Sequence, residues 1–536
     1  MMVRESRGQT PAQSRRAFLI AAGGVIASAA TYGLGSRAEA GKPHPSRGGT
    51  LRFATRGDSM GLDPHRNLIY LVSEPLAATT QGLLDLNLHC EPVPGIAAEW
   101  NASADLLTYT FKLRTGALFH NGQEIDAAAV QWNFDRMRHP KTSHAFIRSA
   151  LENVRETAVV DKSTFRFHLH QPSASFASNV VYYPCSLIAP ASEAQVHTHP
   201  VGCGPFKFVQ WQRYEITELA RFEHYYETDA EGNSLPYLDG IIGRPKKEDQ
   251  VRLTSLRARE VDLIDTMAYS DAAVFAQQYA GTFQTWEVPM LGTSFVLFNL
   301  DRGPFTDKRL RQAAAHATNH DAIKAVVFHG RGDTATGYYA PVSPWHTPGA
   351  TPYPAYDPDK AKFLLRQARA EGTEIDLQSS VSYPYLQQTG DVLQAMWSEV
   401  GFKVTHTVLG EPVLRKKRRD RDFHAMPAAA SYRFDPDGWF AREFLSTAMA
   451  NRQGSGFQND QADRLILEAR GTADRAKRLE RYTALESLVN DELPILYLHH
   501  LTLLEAGALN LHGYQPAISG AFSTQGAGIR TAWLAE

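Results

Sequence analysis

The second half of the chain alternates helix-like and strand-like patterns, and this order constrains the fold more than any other feature. A helix is predicted to start at Asp357, as N-cap, and Pro358, as first helical residue, and to stop near Gly372. A strand-like segment at 375–381 follows, then a helical pattern, then a second strand-like segment at 402–409. Such a strand–helix–strand order predicts a parallel or mixed sheet in an α/β fold.

The first half is richer in strands. Apolar residues alternate at every second position in 105–114 and in 163–169, which is typical of strands with one buried face. A shorter strand is predicted from Thr50 to Thr55. Between the two longer strands, residues 126–137 have the spacing of an amphipathic helix.

The first forty residues have the pattern of an export signal. Arg15 and Arg16 precede an apolar stretch at 17–34 that is rich in small residues, and Ala38-Glu39-Ala40 is a cleavable small-residue site. The paired arginines predict the twin-arginine route and a soluble periplasmic protein. The alternative is a membrane anchor, for which the stretch is short and weakly apolar.

Cleavage after residue 40 leaves about 496 residues, too many for a single core, so two or more domains are expected. Residues 1–40 contain five arginines and two glutamates, so the remainder has 50 basic and 55 acidic side chains and a net charge of −5. This balance provides no broad basic surface for nucleic acid.

Three cysteines remain after cleavage, at positions 90, 185 and 203. In an oxidising compartment, Cys185 and Cys203 are the better candidates for a disulfide because they are close in sequence. Three buried, unpaired thiols are the alternative.

The common motifs of catalytic and phosphate-binding sites are absent from the sequence, including H-E-x-x-H, G-x-S-x-G and G-x-x-x-x-G-K-[ST]. The histidine spacings do not indicate a metal site. The basic run 415–421 could face anionic lipid or an acidic partner, although a solvated helix face explains it more simply. A large exported chain of this kind is expected to bind a solute between domains rather than to catalyse a reaction.

Six stretches in order resemble the family 5 solute-binding proteins of ABC importers, the peptide, opine and nickel class. They are LRF and LDP at 51–64, EPVPGIA at 91–97, YTFKLRTGALFHNGQEIDAAAVQWNFDRM at 109–137, GCGPFKFVQW at 202–211, PFTDKRLRQAAAHATNHDAIKAVVF at 304–328 and YDPDKAKFLL at 356–365. Together they cover about residues 50–500.

The resemblance implies a two-lobed periplasmic binding protein fold of type II, cluster C, with an additional small N-terminal domain. After a signal peptide at 1–40, lobe I is expected to comprise 41–90, 200–290 and 500–536. The small domain is expected at 91–199 and lobe II at 291–499, with chain crossings near 200 and 290. The resemblance also implies a monomer without cofactor or metal, whose lobes close on a solute and deliver it to a membrane permease.

The resemblance also suggests pocket residues. Peptide-binding members hold the ligand's amino group with an Asp before a D-P-D string, and Tyr432 stands at that place here. Dipeptide-binding members hold the carboxylate with an Arg before a Pro-Tyr pair, and Tyr383 stands there. Because a tyrosine cannot replace either charge, ordinary short peptides are not the expected ligand.

Other residues near these positions are candidates for ligand contacts. Arg433 could bind a carboxylate or phosphate, or form a salt bridge at the lobe surface. Tyr383, Tyr385 and Tyr432 could stack on a flat or sugar-like solute, or pack within the wall. Trp345 is a further wall candidate, and Asp435 is better explained as a helix N-cap than as a ligand contact.

These observations favour a periplasmic solute-binding subunit of an ABC importer for a small polar organic solute, peptide-like or opine-like. The two alternatives are a secreted hydrolase that uses none of the recognised motifs and a chaperone or sensor built on the same fold.

Overall fold

The computed structural model describes residues 44–66, 74–346, 352–430, 433–518, 523–524 and 527–535. Residues 45–536 cluster into one compact unit. The predicted signal segment 1–40 lies outside the described residues. Within the described part of the chain, no helix has the length and apolar character that a bilayer crossing requires.

The strands, numbered along the chain, are β1 (Thr50–Thr55), β2 (Leu84–Leu86), β3 (Pro92–Pro94), β4 (Ala97–Ala102), β5 (Thr108–Leu113), β6 (Val154–Asp161), β7 (Thr164–Leu169), β8 (Phe206–Gln212), β9 (Ile216–Arg221), β10 (Gly240–Pro245), β11 (Leu263–Ile264), β12 (Phe283–Phe298), β13 (Asp333–Thr334), β14 (Glu374–Ser380), β15 (Lys403–Leu409), β16 (Ala425–Ala430), β17 (Ile495–Ala508), β18 (Leu511–His512), β19 (Ser523–Thr524), β20 (Ala527–Gly528) and β21 (Trp533–Leu534).

The helices are α1 (Glu74–Ala77), α2 (Ala127–Arg138), α3 (Ala145–Ala150), α4 (Phe176–Asn179), α5 (Asp249–Arg257), α6 (Tyr269–Gln278), α7 (Lys308–Ala317), α8 (His320–Val327), α9 (Pro358–Ala368), α10 (Pro384–Glu399), α11 (Glu411–Asp420), α12 (Asp437–Phe444), α13 (Met449–Arg452), α14 (Asp460–Arg470) and α15 (Arg475–Glu492). Short 3-10 turns lie at Tyr183–Cys185, Pro190–Gln195 and Pro304–Thr306.

The main sheet has eleven strands in the described residues, in the order β15-β14-β16-β12-β17-β11-β1-β10-β9-β8, with β13 beside β17. β14 and β15 pair in parallel along their whole length, which confirms the pairing predicted from the strand–helix–strand pattern. The helix α10 between them packs on both strands, as a parallel crossover requires.

Two long strands join the two halves of this sheet. The first part of β12 pairs with the end of β17, which lies beside β11, whereas the last part of β12 pairs with β16. The register of β12 against β17 shifts between Pro289 and Thr293. The two halves are therefore connected by a pair of irregular strands, at the place where the sequence predicts a chain crossing near residue 290.

A separate four-stranded sheet, in the order β4-β5-β7-β6, lies within residues 91–199. Its core is aromatic: the rings of Phe134 on α2 and Phe167 on β7 meet edge to face, with centroids 4.8 Å apart. This sheet is the additional small domain of the fold. The exact domain boundaries at 90, 199, 290 and 499 stay predictions.

Side-chain caps define several helix starts. Asp126 accepts a hydrogen bond from the Ala129 amide at the start of α2, and Asp357 does the same for the Lys360 amide at the start of α9. The predicted end of α9 is wrong by a few residues. The helix stops at Ala368 because Arg369 adopts the left-handed conformation.

Cys185 and Cys203 are buried and do not form the disulfide considered for them, and Cys90 is buried as well. The sulfur of Cys203 lies 3.6 Å from the backbone oxygen of Gln81, and that of Cys185 lies 3.6 Å from the backbone oxygen of Asn179. Burial raises the pKa of both thiols to about 12, so they remain protonated and unreactive at neutral pH.

Candidate functional site

Arg433 lies between the end of β16 and the start of α12, and the helix start determines its position. The carboxylate of Asp435 accepts a hydrogen bond from the backbone N–H of Asp437 at 3.0 Å. The helix begins at Asp437, one residue later than predicted, with Pro436 as N-cap. A Cβ atom at Gly438 would lie 3.3 Å from Cδ of Arg433, so glycine allows the first turn to pack closely on the arginine stem.

One wall around Arg433 comes from the small domain. Arg433 is 8% exposed, and its guanidinium carbon lies 5.8 Å from the centre of the Phe146 ring, within cation–π range. The Tyr182 ring lies 5.5 Å from Phe146 and 5.0 Å from Phe434. Phe434 is itself buried in the hydrophobic cluster of the small domain. The segment after β16 is therefore packed against the small domain.

A second aromatic group near the site comes from the segment after β13. Tyr338 stacks on Trp439 of α12 with ring centroids 4.1 Å apart, and the ring of Tyr339 lies 4.9 Å from that of Tyr338. The backbone of Tyr338 is held at both ends. Its oxygen accepts from the hydroxyl of Thr293 on β12 at 2.6 Å, and its N–H donates to Glu486 of α15 at 3.1 Å. The tyrosine pair is thus attached to the irregular part of β12.

The electrostatics of the site follow from this enclosure. Burial lowers the pKa of Arg433, but Tyr182, Tyr338 and the carboxylate of Glu443 together raise it, and the net shift of the pKa is upward. Burial also raises the pKa of both tyrosines above its ordinary value. At neutral pH the site therefore combines a charged guanidinium with neutral phenol groups and the carboxylate of Glu443.

Asp435 and Trp345 belong to a neighbouring ion-pair cluster. The Asp435 carboxylate accepts two hydrogen bonds from the guanidinium of Arg478, at 2.5 and 2.8 Å. The guanidinium carbons of Arg478 and Arg475 lie 5.1 and 5.0 Å from the centre of the Trp345 ring. Both residues hold α15 in place beside the site.

A second cross-link connects α12 and α14 to the small domain. The Asp437 carboxylate accepts from the Ser175 hydroxyl at 3.1 Å and from Nε of Arg470 at 3.0 Å. The backbone oxygen of Arg470 accepts from the N–H of Ala174 at 2.9 Å. These bonds hold the small domain against the second half of the chain.

Tyr383 and Tyr385 lie in a different aromatic cluster, around Phe328. Their ring centroids are 6.0 Å apart, Tyr383 is 44% exposed, and Tyr385 lies 6.0 Å from Phe328. Tyr269 of α6 contacts the other edge of Phe328 at 5.3 Å. Through Phe328, Tyr385 is therefore close to α6, which precedes β12 in the chain. Tyr432 lies outside the described residues.

The basic run forms α11, and several of its cations pair with carboxylates. Nε of Arg415 lies 3.1 Å from Glu411, although the arginine side chain is 79% exposed. Arg418 extends toward α12, where its Nη2 lies 3.3 Å from Glu443. Arg415 thus belongs to a solvated face of the helix, whereas Arg418 points its positive charge toward α12, the helix that follows Arg433.

Sequence reasoning missed Tyr182, Tyr338 and Tyr339. Each belongs to a tyrosine pair, at 182–183 and 338–339, and both pairs follow short apolar or small residues. The tyrosine pairs can be seen in the sequence, but no pattern in the neighbouring residues indicates that they lie near Arg433. Among the described residues, no group of three or more His, Cys, Asp and Glu side chains could hold a metal ion.

Comparisons with known proteins agree with this architecture. The AgaA binding protein of A. tumefaciens R10, solved in complex with agropinic acid, has a TM-score of 0.77 at 23% identity and covers 91% of this chain and 99% of its own. This likeness shows the two-lobed fold of type II periplasmic binding proteins.

Sequence relatives are also found. The dipeptide-binding protein of Escherichia coli K12 is 28% identical over 459 residues, which are 79% of this chain and 84% of that protein. The glutathione-binding protein GsiB of Shigella boydii is 27% identical over 486 residues, 88% of this chain and 92% of that protein. The profile of the bacterial extracellular solute-binding proteins, family 5 (middle), matches residues 91–452. The chain therefore belongs to the family 5 extracellular solute-binding proteins.

Proposed function

We propose that this protein is the periplasmic solute-binding subunit of an ABC importer, and that it captures a small polar organic solute, peptide-like or opine-like, between its two lobes. The observation that carries this proposal is the packing of buried Arg433 on Phe146 of the small domain, beside the backbone hydrogen bond from Ala174 to Arg470 that joins the small domain to the second half of the chain. A solute bound there would touch both sides at once, which is how a clamshell site couples binding to closure.

The paired strands β12 and β17 are the proposed hinge. Their register shift near Gly292 interrupts regular pairing, and Leu501 of β17 lies against it. Bending there would separate Ala174 from Arg470 and expose Arg433. Delivery to a membrane permease and export by the twin-arginine route complete the proposal.

The aromatic cluster at Tyr383 and Tyr385 is proposed as the other end of the solute site. The Tyr385 ring lies 6.0 Å from Phe328, which follows α8 and which lies 5.3 Å from Tyr269 of α6. Tyr432 is proposed as a further contact because it precedes Arg433 directly.

The first experiment measures binding without turnover. The purified protein is screened by thermal shift against a solute library, and each hit is recovered and checked by mass spectrometry. We expect a selective rise in Tm with the solute recovered intact. Chemical conversion of a hit would instead support a hydrolase, and stabilisation only by unfolded polypeptide would support a chaperone.

The second experiment tests closure. Cysteines introduced by Ala174→Cys and Arg470→Cys stand where a 2.9 Å backbone hydrogen bond joins the two sides. Oxidation of the empty double variant is expected to abolish solute binding, and reduction to restore it, whereas each single variant binds under both conditions. Normal binding by the oxidised double variant would contradict the clamshell.

A further inference from the structure

The basic helix α11 lies on the surface of the protein and buries very little of its own sequence. Leu414 is the one buried side chain among its ten residues. The helix follows β15, which is the terminal strand at one end of the main sheet in the described part of the chain. Surface helices of globular proteins usually bury an apolar stripe of about three to four residues in every two turns. Packing within the protein therefore explains little of the sequence of α11.

The segment 411–422, which contains α11, is basic in a chain that is otherwise acidic. It has six lysines and arginines and three acidic residues, which give a net charge of +3. The rest of the chain after residue 40 has 44 basic and 52 acidic side chains and a net charge of −8. Concentration of one sign of charge on a single helix creates a local positive potential that attracts anions.

Three cations of α11 extend into solvent. The side chains of Arg415 and Lys416 are 79% and 69% exposed, and Arg419 is also exposed. Arg415 and Arg419 lie four residues apart and therefore share one face of the helix. Arg415 pairs with Glu411 and Lys416 pairs with Asp420, but exposed pairs of this kind contribute little energy. Arg419 forms no ion pair or hydrogen bond with the described residues. All three cations are thus accessible to an external anionic surface.

A further cation lies beside the end of the helix. Nε of Arg302, an exposed residue, donates to the backbone oxygen of Arg421 at 2.5 Å. On the other side of α11, Nη2 of Arg418 lies 3.3 Å from Glu443 of α12. The helix therefore presents cations to solvent while Arg418 connects it to the helix that follows the proposed solute site.

We propose that α11 binds the surface of a membrane that contains anionic phospholipid, and that this contact holds the protein beside the bilayer of its permease. The contact goes beyond the solute-binding function proposed above, which does not depend on it. Anionic headgroups attract cations that lie within about one Debye length of the bilayer. Each lysine or arginine at such a surface strengthens binding about fivefold, so three exposed cations give a measurable, salt-dependent affinity.

The composition of α11 favours a lipid surface over a protein partner. The buried centres of protein–protein interfaces are enriched in aromatic residues and depleted of lysine and acidic residues. The helix contains no aromatic residue, and its exposed large apolar side chain is that of Val413, at 49%. Cations grouped on a surface helix are instead the arrangement that anionic headgroups bind.

The first test is co-sedimentation with vesicles. The chain from Gly41 onward is used, so that the arginines of the predicted signal segment do not contribute. Vesicles of phosphatidylcholine alone are compared with vesicles of phosphatidylcholine and phosphatidylglycerol in equal amounts, at low and at high NaCl. We expect binding to the anionic vesicles at low salt and its loss at high salt, because ions screen exposed charges. Absence of binding to the anionic vesicles, or equal binding to both kinds, would overturn the inference.

A pair of neutralising substitutions tests whether α11 is the surface involved. Arg415→Gln combined with Arg419→Gln is expected to weaken binding to the anionic vesicles about twentyfold, with Tm unchanged because both side chains lie in solvent. Arg155→Gln combined with Lys162→Gln is the matched control, since it removes the same net charge from exposed ion pairs of the small domain. Equal weakening in both double variants would show that net charge alone matters and would contradict a site on α11.

A fluorescent label measures the contact directly. The three native cysteines are buried, so a cysteine introduced at the surface reacts selectively with an environment-sensitive dye. Val413→Cys places the dye on α11, and Val160→Cys places it on β6 as the control, because these valines are 49% and 48% exposed. We expect anionic vesicles to shift the emission of the dye at position 413 and to leave that at position 160 unchanged. A shift that is not confined to position 413, or no shift at all, would refute the proposal.

Discussion

Two buried arginines of this protein have very different surroundings. Arg530, 3% exposed at its side chain, is held by two carboxylates: it donates to Glu227 at 3.0 and 3.1 Å and to Asp85. Arg433 is 8% exposed, and its pKa is lowered by burial but raised by Tyr182, Tyr338 and Glu443, with a net rise.

The difference separates a structural arginine from a proposed ligand-binding one. Arg530 connects the last strands to Asp85 of β2, 445 residues away, and to the loop at Glu227, 303 residues away. Its charge is therefore compensated by carboxylates of the protein itself. Arg433 packs instead on the ring of Phe146, at the proposed solute site between the small domain and the second half of the chain. The following predictions, from the largest effect to the smallest, test that contrast.

The largest effect is expected for Arg530→Met. Removing the cation leaves the carboxylates of Asp85 and Glu227 buried together, which costs about 3–5 kcal/mol in the free energy of unfolding. Chemical denaturation followed by circular dichroism measures it. Lys162→Met removes a cation from an exposed pair with Glu124 and is expected to leave stability unchanged. Similar losses in both variants would contradict the structural role of Arg530.

The second prediction concerns pH. Burial raises the pKa of Asp85 above its ordinary value, and Arg530 opposes that rise. Without Arg530 the pKa rises further, so the folded variant binds a proton more tightly than its unfolded chain, and its stability increases as the pH falls. The stability difference between wild type and Arg530→Met is therefore expected to shrink by about 1 kcal/mol between pH 7.5 and 5.5. A difference that widens on acidification would contradict this account.

Arg433→Met is expected to change the free energy of unfolding less than Arg530→Met does, and with a weaker dependence on pH. The phenols of Tyr182 and Tyr338 have pKa values above their ordinary range and do not titrate below pH 8, so the stability difference from wild type is expected to vary less with pH than that of Arg530→Met. Replacing a buried cation by an apolar side chain is expected to change the free energy of unfolding by about 1 kcal/mol or less. A loss of unfolding free energy as large as that of Arg530→Met would show that Arg433, like Arg530, mainly stabilises the fold.

The smallest effect is expected for Gly438→Ala. The new methyl group would lie 3.3 Å from the Arg433 stem, so the arginine shifts by a few tenths of an ångström while the helix gains propensity. We expect a stability change of about 0.5 kcal/mol and a twofold to threefold weaker thermal shift by a solute that stabilises the wild type in the library screen. Gly281→Ala, with open space around its Cβ, is the control and should leave the thermal shift unaltered.

Local patterns were sufficient to predict much of the fold. The strand from Thr50 to Thr55 has the predicted bounds, and the parallel pairing of β14 with β15 follows from the helix between them. Predicted helix ends were less accurate, as the early stop of α9 at Arg369 shows, because a left-handed residue other than glycine is not visible in the sequence.

The candidate site could not be predicted in the same way. The sequence indicated Arg433 and neighbouring residues as candidates, but its enclosure depends on Tyr182 and Tyr338, which lie about 250 and 95 residues away. The pairing of Asp435 with Arg478 spans 43 residues and is likewise invisible in a local pattern.

The sequence by itself determined the class of fold, the family and the order of most elements, because these depend on short-range periodicity, caps and motifs that each segment carries alone. Only the tertiary structure decided which arginine meets carboxylates and which meets phenols. That outcome depends on how distant segments pack against one another. Burial then strengthens the electrostatic interaction between the groups that come into contact.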